Sequence, residues 1–422
     1  MSVIATNSFY SAVRNDPSPL SKTGGGYRSC APGETVDRLV PRQREFGITR
    51  LANITGLDRI GIPVWIAVRP NSRSLSLSQG KGLTHEAARA SALCESIETF
   101  YAERCVNPLR MVRYESLRAE GNVTDVERLP MARHGLYSHE ESIPWVEGVD
   151  LIRGKGVWVP YELVHADATV PRHPGSGCFV FSTNGLASGN TAAEAAFHGL
   201  CELVERDAMA LWKIRSAEDQ KRTRVCNRSV SDPVCAGLIQ QLDSAEIDAL
   251  IWDVTSDVGV AAFRVLIYDR WAQSQLVSLP VAFGAGCHPE RGIALTRALT
   301  EAAQSRLTAI SGARDDFSRR AYTQAAMPAE VAAEYIRLAQ EDGERRWERI
   351  PDQTFDCISQ SLSWLLEQLD HQGIQQVCAV PVSPENAPLH VVRTLAVGLE
   401  GPSSSPSWTP GARASNARRI AA

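Results

Sequence analysis

Three copies of one six-residue phrase constrain this chain more than any other feature. They are Leu93-Cys94-Glu95-Ser96-Ile97-Glu98, Leu200-Cys201-Glu202-Leu203-Val204-Glu205 and Leu299-Thr300-Glu301-Ala302-Ala303-Gln304, with the shared pattern Leu-x-Glu-x-x-[Glu/Gln]. Thr84 precedes the first and Thr191 the second in the same register, since 191 − 84 = 202 − 95 = 107. The residues between are rich in Ala and Leu, free of Pro, and carry glycine only at Gly199, which predicts helices. Thr191 followed by Glu194 reads as a capping box at the start of the second helix.

On a helix, side chains three apart share a face, so each phrase presents two acceptor groups side by side. A single Glu-x-x-Glu pair is most simply a solvated pair of charges, at a cost of a few tenths of a kcal/mol. Three such pairs in register on otherwise apolar helices are another matter, because buried carboxylates need cations or donors. Facing one another, they would form a site for divalent cations. The second helix continues the polar stripe through Glu194, His198, Glu202, Glu205, Arg206 and Asp207, and an arginine beside carboxylates suits a phosphate site.

The rest of the chain excludes several classes. With 44 Lys and Arg against 48 Asp and Glu and a net charge of −4, it offers no basic stripe for nucleic acid. Met1 to Asp16 has no basic segment followed by an apolar run, and the uncharged stretch Trp271–His288 is broken by polar residues and Pro280. Neither a secretory signal nor a membrane span is read, and the expected location is cytoplasmic. The ten cysteines occur singly, without Cys-x-x-Cys, which argues against a zinc knuckle and a disulfide framework. Cys94 and Cys201, at matching repeat positions, read as packed apolar residues.

In chain order, residues 1–26 end in Gly24-Gly25-Gly26 and read as a mobile lead-in. Thr35 is placed as the cap of a short helix, and Val64–Val68 and Arg73–Gln79 as extended segments. Gly80-Lys81-Gly82 is placed as a turn before the first helix, where anions bind well, although it is no Walker A loop. Residues 106–150 read as a peripheral insertion. The glycine-rich run Ser182–Asn190 leads into the second helix and could wrap a ligand. Strands are expected at Val157–Pro160, Ala249–Trp252, Val260–Tyr268, Val277–Phe283, Val377–Pro381 and Leu389–Val397. Helices are expected from Ile293 to Ile310, within Asp316–Gln353 and around Leu362–Leu369. Residues 27–400 then form one α+β domain of mixed layers, and 401–422 a flexible tail.

The repeated phrases resemble the signatures of the YcaO family of ATP-dependent enzymes that activate peptide backbone amides, and the likeness runs from about Arg28 to Glu400. Ser91, Glu95 and Glu98 match its first signature; Asn190, Glu194, Glu202, Glu205 and Arg206 its second; Glu301, Gln304 and Arg306 its third. Arg28 and Thr35 match an upstream basic residue and hydroxyl. The resemblance implies that Glu95, Glu98, Glu202, Glu205 and Glu301 bind Mg2+. It implies that Arg28, Thr35, Lys81, Ser91, Ser188, Asn190, Glu194, Arg206, Gln304 and Arg306 bind ATP, with Glu202, Glu205 and Arg206 central to catalysis. Oxygen-only ligands suit magnesium, and phosphoryl transfer asks mainly positioning and charge neutralisation of a protein.

The family uses phosphorylation of the amide oxygen to form azolines from a neighbouring Cys, Ser or Thr, or thioamides from a sulfide source. Phe46–Arg50 and Gly56–Pro63 resemble members encoded beside a TfuA-like partner, and the tail lacks the Pro-x-Pro-x-Pro ending of many azoline formers. The expectation is thioamidation of a peptide or protein substrate with a TfuA-like partner and a sulfide donor; the resemblance also admits a homodimer. The alternatives are an azoline-forming cyclodehydratase, a non-catalytic ATP-binding accessory to a sulfur-modifying methylthiotransferase, and a carboxylate-bridged di-iron protein. The last would pair Glu with His at three-residue spacing, which His198 does not provide.

Overall fold

In the computed structural model, which describes residues 3–20, 26–135, 137–271, 280–316 and 329–421, every phrase lies on a helix that directly follows a strand. Helices α1 (Val3–Arg14) and α2 (Pro32–Leu39) precede the antiparallel sheet of β1 (Arg50–Asn53), β2 (Val64–Val68) and β3 (Leu77–Lys81), against which α3 (His85–Ala102) packs. Then come β4 (Leu109–Arg113), α4 (Tyr114–Glu120), β5 (Ser142–Asp150), β6 (Lys155–Pro160), β7 (Leu186–Gly189) and α5 (Ala192–Lys213). After α6 (Ala217–Arg222) and α7 (Pro233–Ser244), strands β8 (Ile247–Asp253), β9 (Ala262–Asp269) and β10 (Val281–Cys287) form a second antiparallel sheet, covered by α8 (Arg291–Ser311). The chain continues through α9 (Ala329–Gln340), α10 (Ile358–His371), β11 (Val377–Pro381), β12 (His390–Ala396) and α11 (Ala412–Ala421). The largest sheet has the order β4-β5-β11-β12-β7, with β6 also paired to β5. This is the α+β layering expected from the sequence.

The strand–helix unit repeats more closely than the phrases alone suggest. The residues capping α3, α5 and α8 are Thr84, Thr191 and Glu290, and 290 − 84 = 301 − 95 = 206, so all three helices start at equivalent positions. Gly80 and Gly286 are equivalent in the same register, and each lets a strand lie directly on its helix. A Cβ on Gly80 would stand 2.1 Å from the carbonyl of Ala88 and the amide of Ala92; on Gly286 it would meet Ala294 and Ala298 at 2.2 and 2.7 Å. Gly80→Ala is therefore expected to force α3 off β3 at a cost of about 1–3 kcal/mol or more, measurable by denaturant unfolding.

Three segments are built differently from expectation. Within the expected lead-in, residues 3–14 are helical, and Val13 is fully buried in the core cluster around α5 and α10. Residues 106–150 are not peripheral, since β5 lies inside the largest sheet and pairs with β4, β6 and β11. Trp145, Val146 and Val149 on β5 are buried, and a strand covered on both faces shows no alternation to read. The carboxy-terminal tail also docks. Arg413 places Nε and Nη2 at 2.9 and 3.0 Å from the two oxygens of buried Asp207, and Glu400 accepts from the amides of Gly411 and Ala414. Asp207 therefore faces away from the polar stripe of α5.

Smaller differences follow from local geometry. Thr35 is inside α2, which begins at Pro32, rather than capping it. Gly80 and Lys81 belong to β3 and pair with Trp65 and Val64 instead of forming a turn. Of the strand expected at Val277–Phe283, residues 277–279 lie outside the described residues; the observed strand is Val281–Cys287. Residues 317–328 of the segment expected to be helical lie outside them as well, while α9 follows.

Candidate active site

Helices α3, α5 and α8 turn their phrases toward one cavity of about 510 Å3. Of the sequence-derived candidates, Arg28, Thr35, Lys81, Ser91, Glu95, Glu98, Ser188, Asn190, Glu194, Glu202, Glu205, Arg206, Glu301 and Gln304 all line it. Residues from three distant parts of the chain are thus brought together by the repeated strand–helix packing.

The charges interact across helices. Loss of hydration, then repulsion by Glu95 and Glu202, raises Glu98 well above the usual carboxylate range. Loss of hydration raises Glu95 to about 7, with Lys81 and Arg314 working against it. Glu205 is likewise pushed up to about 7 by burial, relieved by Arg206 and Arg297 and reinforced by repulsion from Glu301 and Glu202. For Glu301, burial raises the pKa, but Lys81 and Arg206 outweigh it and hold the group below its ordinary value. Crowded carboxylates with raised proton affinity are sites where divalent cations bind favourably.

Hydrogen bonds fix both ends of the cavity. At one end the Glu194 carboxylate accepts from Arg28 Nη1 at 2.9 Å and from the amide and hydroxyl of Ser29, both at 3.0 Å. Asn190 Oδ1 accepts from Thr35 Oγ1 at 3.1 Å and from Arg38. At the other end Lys81 pairs with Glu301, and Gln304 Nε2 donates to the carbonyl of Gln79 at 2.9 Å. Between them Glu202 Oε2 accepts from the Gly185 amide at 3.2 Å, and Arg206 lies 3.3 Å from Glu205 and 3.5 Å from Glu202.

One expectation needs correction. Arg306 does not reach the cavity: its guanidinium is buried against Asp58 and Asp269, each at 2.8 Å. At 100° per residue it lies about 200° around the helix from Gln304, on the opposite face. Arg297, four residues before Glu301, is on the cavity side and lines it. The repeat register held this signal, because Arg297 is equivalent to Ser91 and His198. Glu95, Glu98, Glu202 and Glu205 share the cavity, and among the described residues no three acidic, histidine or cysteine side chains are arranged to hold a metal ion by themselves. Magnesium suits this arrangement, because it keeps water and phosphate oxygens and takes one or two carboxylates.

Burial also shifts the histidine and the cysteines carried by the repeats. Burial, with Arg297 and Arg28 adding to it, lowers His198 well below its ordinary value, so it is neutral. Burial pushes the Cys94 and Cys201 thiols up to about 12, which leaves neither a nucleophile at neutral pH. All ten cysteines are free. No helix among the described residues is long and apolar enough to cross a membrane.

Known structures share this architecture. YcaO from Methanopyrus kandleri, solved with AMPPCP and Mg2+, superposes with a TM-score of 0.71 at 23% identity, over 91% of this chain and 95% of that one. A heterocyclase solved with substrate and cofactor gives 0.73 at 20% identity, over 93% of this chain and 56% of that one. At the level of sequence, a protein encoded in the tfuA 3' region of Rhizobium leguminosarum bv. trifolii is 38% identical, with 93% of each chain covered. A Methanothermobacter thermautotrophicus protein is 32% identical over 87% of this chain and 94% of its own. The family model described as YcaO cyclodehydratase, ATP- and Mg2+-binding, matches residues 79–400. With its three phrases on that fold and its sequence within that family, the chain belongs to the YcaO family and is an ATP-dependent enzyme that uses ATP and Mg2+.

Proposed function

We propose that this enzyme activates a peptide backbone amide by phosphorylating its oxygen and, with a TfuA-like partner and a sulfide donor, replaces that oxygen with sulfur. The observation that carries the choice of partner and product is the similarity to a protein encoded in a tfuA 3' region. The stretches Phe46–Arg50 and Gly56–Pro63 support it in sequence. Asp58 and Arg59 within the second are already engaged with Arg306 and Asp269, so partner choice is not assigned to them.

Glu95, Glu98, Glu202, Glu205 and Glu301 would hold the metal ions; Arg28, Thr35, Lys81, Ser91, Ser188, Asn190, Glu194, Arg206 and Gln304, joined by Arg297, would surround the nucleotide. Bound ATP and Mg2+ supply the γ-phosphoryl group and the charge that neutralises it during transfer. The chain's own groups orient and screen. Arg206 balances Glu202 and Glu205, Lys81 balances Glu301, and the Arg28–Glu194–Asn190 network fixes one wall. In the overall balance the amide oxygen leaves as phosphate oxygen, sulfide sulfur takes its place on carbon, and ATP becomes ADP.

Reconstitution with ATP, Mg2+, sulfide, a TfuA-like protein and the cognate peptide tests this reading. The peptide should gain about 16 Da, the oxygen-to-sulfur difference, with ADP and phosphate as products of the phosphoryl transfer. Loss of about 18 Da, one water, would assign azoline formation instead, while nucleotide binding without any peptide-stimulated ATPase would assign an accessory role. Asn190→Ala, which removes contacts at the nucleotide wall, is expected to weaken ATP binding by about 1.5–3 kcal/mol. Unchanged affinity in calorimetry would remove Asn190 from the nucleotide site.

A further inference from the structure

Behind the cavity, β12 holds a buried arginine that has no part in the site described above. Arg393 is only 2% exposed, and its Nη2 donates to the carbonyl of Ser182 at 2.7 Å, while Nε and Nη1 are buried without a hydrogen-bond partner among the described residues. A buried cation with unmet donors is costly, so its retention calls for a local reason. The next residue, Thr394, donates from its amide and hydroxyl to the carbonyl of Gly185 at 2.8 and 3.0 Å. The Gly185 amide in turn donates to Glu202 Oε2 at 3.2 Å.

Two consecutive residues of β12 therefore hold both ends of the Ser182–Gly185 turn, and the turn holds a carboxylate of the cavity. The turn has little room to shift: Gly185 adopts φ +80°, and a Cβ there would meet the Thr394 carbonyl at 2.4 Å. Burial lowers Arg393 to about 10, opposed by Glu202 and Glu98, so the guanidinium stays positive at neutral pH.

We infer that Arg393 is a positioning residue for the metal site: it pins the Ser182–Gly185 turn, through which the Gly185 amide orients Glu202. This rests on the reading of Glu202 as a metal ligand. Groups that orient ligands in this way typically cost about 10–100-fold in metal affinity when removed.

Mn2+ binding in the presence of a non-hydrolysable ATP analogue, followed by electron paramagnetic resonance on protein shown to be folded by thermal scan, separates the possibilities. Arg393→Met should weaken Mn2+ binding about 10–100-fold, and Arg393→Lys, which keeps the charge and one donor, should recover much of it. Glu202→Gln is measured alongside: wild-type Mn2+ affinity there would overturn the metal-site reading itself. Lost binding in Glu202→Gln with wild-type affinity in folded Arg393→Met would leave that reading standing and overturn the role of Arg393. Equal impairment in folded Met and Lys variants would assign a packing role only and overturn it too. Should Arg393→Met fail to fold, Arg393→Gln, which shortens the side chain and removes the charged donor, is measured instead; wild-type Mn2+ affinity in it would equally overturn the proposal.

Discussion

Glu202→Gln should lose peptide-stimulated ATP turnover by more than the about 10–100-fold that removal of an outer partner of a metal site costs, while its fold is kept or strengthened. The substitution changes volume very little and leaves an oxygen to accept the Gly185 amide bond. Arg206 retains Glu205 at 3.3 Å. What disappears is one negative charge among Glu98, Glu205 and Glu301, where burial and, after it, repulsion from Glu202 raise Glu98 and Glu205. Without metal, relief of that repulsion should leave the thermal midpoint equal to or above the wild type, the exchange of stability for function expected at a charged active site. Full activity in the variant would exclude Glu202 as an essential ligand, and a lowered midpoint would contradict the electrostatic account.

A second large effect is expected away from the cavity. Asp269 is fully buried at the end of β9 and accepts from Arg59 and Arg306, each at 2.8 Å, while Arg306 also pairs with Asp58. Asp269→Ala leaves two guanidiniums underpaired, one of them buried, and should destabilise the fold by about 3–5 kcal/mol in denaturant titrations. Burial would raise the Asp269 pKa, but its hydrogen bonds to Arg59 and Trp271 and the charge of Arg306 hold it below its ordinary 3.8. The stabilisation is thus present above that value and fades as pH falls through the folded-state pKa. Nucleotide affinity of the folded fraction should not change, because Arg306 faces away from the cavity; a selective loss of ATP binding with stability intact would return Arg306 to the site.

The parts of the site legible in sequence were those set by helical periodicity. Glu95 and Glu98, Glu202 and Glu205, and Glu301 and Gln304 are three apart on Ala-rich helices, and that spacing alone placed them on common faces. Arg306 matches the family signature in sequence, but its helical angle turns it away from Glu301 and Gln304, and the same angle identifies Arg297. The third cap was hidden because Glu290 stands where the other two copies have threonine. The terminal segments were illegible for a different reason. Their anchoring depends on single buried residues and distant ion pairs, such as Val13 against the core and Arg413 on Asp207, which no local composition reports. Strand β5 was obscured by Pro144 and Glu147 and by burial on both faces.

If the amide oxygen itself receives the phosphoryl group, that oxygen must leave the peptide on phosphate. A peptide carrying oxygen-18 at the reacting carbonyl, turned over with ATP, Mg2+ and sulfide, should release its label into inorganic phosphate, one labelled oxygen per modified amide, with ADP as the nucleotide product. Label retained in the modified peptide, or appearing in AMP, would contradict the account.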